Sequence, residues 1–116
     1  MAKAETNVVH AIMQSLSKRG AVTWKNVRGK FRSFDGKRIV AAGLLTAGAS
    51  DLIGFVPVTI TPEMVGQTVA VFLALEVKTD LGIASREQQD FIAFVTKNGG
   101  YAGVARSPEQ AEKIIG

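Results

Sequence analysis

Thr68–Lys78 reads TVAVFLALEVK, and this stretch decides the fold. Seven consecutive apolar residues run from Val69 to Leu75, the residue types that suit a covered, pleated surface. Because the run is apolar on both faces, it predicts a strand covered on both sides and central in its sheet. At its end, the two-residue period of a strand sends Glu76 and Lys78 to one face and Val77 to the other. Downstream, Leu81-Gly82 leads to Ser85, a good N-cap for a helix over 86–97 that carries Phe91, Ile92, Phe94 and Val95. Asn98-Gly99-Gly100 stops that helix, and GYAGVA (100–105) reads as a short strand whose glycines weaken it or permit close approach. If the two strands are parallel, the strand–helix–strand segment 69–105 is a right-handed crossover. Ser107-Pro108-Glu109-Gln110 opens a last short helix, with Ser at the cap, Pro at the first position and Gln three after the cap.

Upstream, Val8, Val9, Ile12, Met13 and Leu16 recur at helical spacing and predict a helix over 5–18, ended by Lys18, Arg19 and Gly20. AVTWKNV (21–27) reads as a strand. Asp35-Gly36 signals a two-residue hairpin turn between FRSF and KRIVAA. DLIGFVPVTI (51–60) reads as a strand that Pro57 confines to an edge or an irregular position, and TPEMVGQ is a connection. The expected fold is therefore α/β, a mixed central sheet flanked by helices in the order α-β-β-β-β-α-β-α, without internal repeats.

Composition narrows the chemistry. The 116 residues fit one domain spanning 1–116, and 47% hydrophobic against 21% charged residues argues against disorder. Zero cysteines exclude a disulfide scaffold, thiolate zinc, iron–sulfur chemistry and a cysteine nucleophile. A single histidine, His10, excludes multi-histidine metal sites within one chain and leaves Ser-His-Asp catalysis open only with His10 as base. His10 itself reads as a surface or half-buried helix histidine. No signal peptide or membrane-length apolar run is present, so a soluble cytoplasmic protein without membrane partners is expected.

Charge is unevenly placed. Eight of the fourteen Lys and Arg residues lie between positions 18 and 38, against one acid, Asp35. Trp24, Phe31 and Phe34 are interleaved there. Such an arm gains affinity for phosphates by counterion release, and a solvated hairpin kept soluble by its lysines is the plainer reading. Within it, Lys25, Asn26, Arg28, Lys30 and Arg32 are the candidate DNA contacts, with Asn26 and Arg28 favoured for phosphate. Trp24 suits sheet packing better than base stacking, and Met13 and Met64 read as core fillers.

Asp51 opens one strand, and Glu76 and Lys78 end the next confident one. If those strands are neighbours, the two carboxylates approach each other. Without histidine or thiol they make a hard-oxygen site suited to Mg²⁺ or Mn²⁺. A lysine beside them can orient water and stabilise charge on a phosphate. Glu-x-Lys alone is common, and an ordinary solvated strand end is its plainer reading. Its place at the border of a covered strand favours pairing or metal binding, because half-buried charges are costly when left alone.

Gly48-Ala49-Ser50-Asp51-Leu52, then Glu76-Val77-Lys78, then Gly82 and Ser85-Arg86-Glu87-Gln88, resembles the virus-type replication-repair nuclease (VRR-NUC) domain of the PD-(D/E)xK superfamily. The resemblance runs from Glu5 to the last strand, and Ser50 stands where many superfamily members have proline. It implies a restriction-endonuclease-like fold and a metal-dependent endonuclease leaving 5′-phosphate and 3′-hydroxyl ends. By the same resemblance, Asp51 and Glu76 with the Val77 main-chain carbonyl would hold the metal, and Lys78 would contact the attacking water. Glu5 matches the family's helix acid, and it is equally a first-turn carboxylate favoured by the helix dipole. Gln88 matches the family's glutamine, and Ser85-x-x-Gln88 is equally a capping box. Gln89 faces another side of the helix. The absence of a flanking domain resembles the stand-alone phage or prophage type, located in the bacterial cytoplasm, which acts as a homodimer on branched DNA such as four-way junctions and uses no small-molecule cofactor. A nuclease for flaps, nicks or plain duplex, and a non-catalytic DNA-binding domain, are the alternatives.

Overall fold

Helix α1 spans Lys3–Ser17. Its partly covered stripe runs along Thr6, Val9 and Met13, and the side carrying Glu5, Val8 and Ile12 is exposed. Glu5, four residues before Val9 and so one turn from it, is exposed where Val9 is partly covered. The covered stripe is rotated about one residue, because α1 packs on the single strand β1 (Val22–Lys25), which covers only a narrow face. The computed structural model that gives this fold describes residues 3–27, 29–44 and 47–116. Its elements continue with β2 (Gly29–Arg32), β3 (Ile39–Ala42), β4 (Leu52–Phe55), a 3₁₀ turn at Pro62–Met64, β5 (Leu73–Val77), α2 (Arg86–Lys97), β6 (Tyr101–Ala105) and α3 (Pro108–Ile114). Five strands therefore precede α2, one more than the expected order.

The α/β class holds, with three helices and both pairing modes present. The strands pair in twos: β1 with β4 antiparallel, β2 with β3 antiparallel, β5 with β6 parallel. The chain divides into two compact units, Met1–Val56 and Pro57–Gly116. Among the described residues no helix is long and apolar enough to cross a membrane.

In the first unit, Val22↔Phe55 and Lys25↔Leu52 bracket the β1–β4 register. Trp24 packs diagonally on Phe55, ring centroids 6.0 Å apart, which is the packing role its sequence setting favours. Gly54 stands opposite Thr23, and a Cβ there would come within 2.8 Å of the Thr23 Cα. β4 is four residues long where ten were expected. Pro57 has no N–H for a ladder and restricts the residue before it, so the strand ends at Phe55.

The β2–β3 hairpin is closed by Ser33 N–H donating to Arg38 O (2.7 Å), which leaves four loop residues where a two-residue turn was expected. Asp35 explains the longer loop. Its carboxylate accepts from Ser33 Oγ (2.6 Å) and from the Lys37 N–H (3.0 Å), stabilising a turn that ends on Gly36 at φ +75°. Those bonds, Ser33's first, hold the Asp35 carboxyl below its usual range.

In the second unit, α2 links the parallel strands β5 and β6, in the register Leu73↔Tyr101 to Val77↔Ala105. Val95 (1% exposed) and Ala105 (3%) form its core with Ala84. β6 carries glycine at 103, where a Cβ would meet Ile114 of α3 at 2.8 Å. The close approach anticipated from the glycines is thus made by a helix. β5 is not central: it forms a two-stranded sheet with β6, and Val69, Val71 and Leu73 remain 43–51% exposed. It is also five residues long where eleven were expected. Pairing begins where its partner begins, after Gly99-Gly100, with Tyr101 N–H donating to Phe72 O at 2.9 Å.

Candidate active site

The end of β5 supplies the first group of site residues. Lys78 N–H donates to Ala105 O (3.1 Å), which extends the β5–β6 ladder one residue beyond Val77. The strand period then places Glu76 and Lys78 on one face, while Val77 is 74% exposed. Lys78 Nζ lies 3.2 Å from Glu76 Oε1, with 22% and 29% of the two side chains exposed. The turn after Lys78 is fixed from two directions. Gly82 N–H donates to Thr79 O (3.1 Å), and Arg106 Nη1 donates to the same oxygen (2.9 Å). Gly82 lets that turn close against the lysine, since a Cβ there would come within 3.2 Å of Lys78 Cδ.

A cleft of about 400 Å³ opens beside Glu76. Its polar wall is Glu76, Ser85, Glu87 and Gln88, and its apolar wall includes Leu75, Phe91 and Ile92. Gln88 occupies two roles at once. Ser85 Oγ accepts from Gln88 N–H (3.1 Å) and Gln88 Oε1 accepts from Ser85 N–H (2.9 Å), a complete capping box, while the same side chain lines the cleft. With Oε1 turned to the Ser85 N–H, Gln88 has its amide N–H donors to offer to anything entering. Glu87 shares the cleft and was not singled out from the sequence, because a first-turn acid between Ser85 and Gln88 looks like a dipole residue. Gln89 is directed away, donating to Ala84 O (3.0 Å).

Asp51 belongs to the first unit, immediately before β4. It is exposed, and its main-chain oxygen accepts from Asn26 N–H at 2.8 Å. The strand it precedes, β4, pairs with β1. The side-chain amide of Asn26, a candidate phosphate contact, makes hydrogen bonds within the protein. Asn26 Oδ1 accepts from Leu44 N–H (2.9 Å), and Nδ2 donates to Ser50 O (3.1 Å) and more weakly to Leu44 O (3.4 Å). Glu5 lies exposed in the first turn of α1, and His10 is exposed further along it. Among the described residues no three Asp, Glu or His side chains come together as a cation cage.

Of the basic arm, Lys25 is exposed at the end of β1, and Lys30 and Arg32 are exposed on one face of β2. Phe31 and Val40 pair on the opposite face. Arg28 lies outside the described residues.

The family model of the VRR-NUC domain matches residues 4–109 of this chain. The chain belongs to the VRR-NUC family. VRR-NUC domains are nucleases of the PD-(D/E)xK superfamily, so membership implies nuclease chemistry on DNA. No curated protein and no solved structure matches the chain. In this VRR-NUC domain Glu76 lines the cleft, and Lys78 is paired with it.

Proposed function

We propose that this VRR-NUC domain is a Mg²⁺- or Mn²⁺-dependent endodeoxyribonuclease, selective for branched DNA and acting as a homodimer. The observation that carries the reading is the half-buried Glu76–Lys78 pair, on one strand face beside a cleft. A carboxylate and a lysine held together away from bulk water are costly unless they serve each other or a ligand. The donors on offer, the Glu76 and Asp51 carboxylates and the Val77 carbonyl, are hard oxygens, and they suit Mg²⁺ or Mn²⁺ rather than a soft metal. A divalent ion held by such donors would supply Lewis acidity to water and to phosphoryl oxygens.

The protein's own groups do the rest. Glu76 holds the Lys78 ammonium by Oε1 and leaves its second oxygen for the cation. Lys78 orients the attacking water and stabilises negative charge as it grows on the phosphoryl group. Gln88, locked by its capping box, donates N–H to a phosphate oxygen in the cleft. Lys25, Lys30 and Arg32 neutralise backbone phosphates. Two symmetric cuts across a four-way junction need two sites, which a two-fold dimer provides.

The test is Mg²⁺- and Mn²⁺-dependent cleavage of labelled junction, flap, nicked and linear duplexes, run beside Lys78→Ala and Asp51→Asn. Cleavage of the junction before the linear duplex, lost in both variants, is expected. Binding without cleavage in either metal refutes the enzyme reading. Equal cleavage by the variants refutes the site assignment, and equal rates on all four substrates refute the branched-DNA preference.

A further inference from the structure

The Asn26 amide ties both ends of the segment that leads into Asp51. Among the described residues the Asp51 carboxylate has no hydrogen-bond or ion-pair partner, and the residue is exposed. The contact described for Asp51 runs through its main chain. That main chain is held by Asn26 at two levels. The Asn26 N–H donates to Asp51 O at 2.8 Å, continuing the β1–β4 ladder one pair past Lys25↔Leu52. The Asn26 side chain then reaches beyond the ladder, donating to Ser50 O at 3.1 Å and accepting from Leu44 N–H at 2.9 Å. Leu44 and Ser50 are thus gathered onto one planar amide.

We infer that Asn26 is a positioning residue for Asp51, a clamp that fixes the Ser50–Asp51 peptide and so aims the carboxylate. The inference rests on the role proposed for Asp51 above. Asparagine suits this place because one side chain must both donate and accept at a fixed spacing. An aspartate would keep the acceptor for Leu44 N–H and set its other oxygen against the carbonyls of Ser50 and Leu44. An alanine would leave the Leu44 N–H and the Ser50 carbonyl without their protein partners. Misplacing a reacting group by about 1 Å costs on the order of 100-fold in rate, so loosening this clamp is felt in turnover rather than in DNA affinity.

The test compares wild type, Asn26→Ala and Asn26→Asp in steady-state cleavage of a labelled junction with Mn²⁺. Amide ¹⁵N relaxation is measured alongside on the metal-free proteins. Asn26→Ala is expected to lower kcat on the order of 100-fold with KM within about threefold, and Asn26→Asp to fall between it and wild type. The Asp51 amide order parameter is expected to drop in Asn26→Ala while that of Val95 stays unchanged. A kcat within about threefold of wild type overturns the inference. So does a raised KM at unchanged kcat, which is the signature of a direct phosphate contact. Where Asn26→Ala does not fold, Asn26→Asp carries the same criteria. Where wild type itself cuts nothing, the nuclease reading fails separately, and the clamp is decided by relaxation. Lost order at Asp51 then supports it, and unchanged order overturns it.

Discussion

Replacing Lys78 by methionine should tighten metal binding while abolishing cleavage. Lys78 Nζ and Glu76 Oε1 are 3.2 Å apart, and each side chain is less than a third exposed. The gross Coulomb attraction at that distance is about 5 kcal/mol at an effective dielectric constant of about 20, and about 1 kcal/mol in a water-like medium. Desolvation and the rotamer entropy of the lysine offset most of it, leaving about 1 kcal/mol net. A cation binding Glu76 competes with the ammonium for the same carboxylate and meets its repulsion as well. Lys78→Met removes that competitor with its aliphatic stem largely conserved. A release of about 1–1.4 kcal/mol corresponds to roughly five- to tenfold tighter binding. Titration calorimetry of Mn²⁺ into wild type, Lys78→Met and Glu76→Gln reads this directly, with cleavage of the junction in parallel. Unchanged or weaker Mn²⁺ affinity in Lys78→Met refutes the reasoning, because Glu76 would then not be shared between lysine and metal.

Gly54→Ala places a Cβ against the Thr23 backbone, so the β1–β4 pair must part; a loss of about 3 kcal/mol or more is expected in urea unfolding, and wild-type stability would show that the pair is not close-packed there. Asp35 is an acid whose folded pKa is lowered, so its contribution to the hairpin is present above the ordinary carboxylate pKa and is lost as pH falls through the folded value. The Lys37 amide shift should accordingly titrate with a midpoint below 3.8, and a midpoint at or above 3.8 would remove the Ser33 and Lys37 bonds from solution. Lys30→Glu with Arg32→Glu should weaken DNA binding and flatten its dependence on salt between about 50 and 200 mM, by roughly two in the log–log slope. An unchanged slope in fluorescence anisotropy would exclude β2 from the DNA-binding surface.

Local signals were legible in the sequence, and long-range ones were not. The helix over 86–97 has the predicted bounds, because Ser85 and Gln88 complete a box within four residues and Asn98-Gly99 ends it. The strand–helix–strand pattern of 69–105 was legible by similarly local signals, and its two strands pair in parallel. Which strand lies beside β4 was not legible, since hydrophobic runs announce burial and not a partner, and DLIGF is as compatible with β5 as with β1. Asn26 shows the same limit at one residue. Its partners are 18 and 24 positions away, and no spacing rule distinguishes an amide that contacts phosphate from one that ties a loop. The Glu76–Lys78 pair was legible because both residues lie on one strand, where a period of two fixes which residues share a face.

That same period makes the face that carries Glu76 and Lys78 hostage to alignment between β5 and β6. The alternate residues Leu73, Leu75 and Val77 form a second, wholly aliphatic face two residues in repeat. A one-residue deletion within Leu73–Val77 would leave a strand nearly as apolar and as able to pair, while turning the two charges to the opposite side. Length variation within this strand is therefore an all-or-none hazard for the placement of both charges, even where the protein still folds, whereas the exposed loop at Phe34–Lys37 can change length without moving either charge.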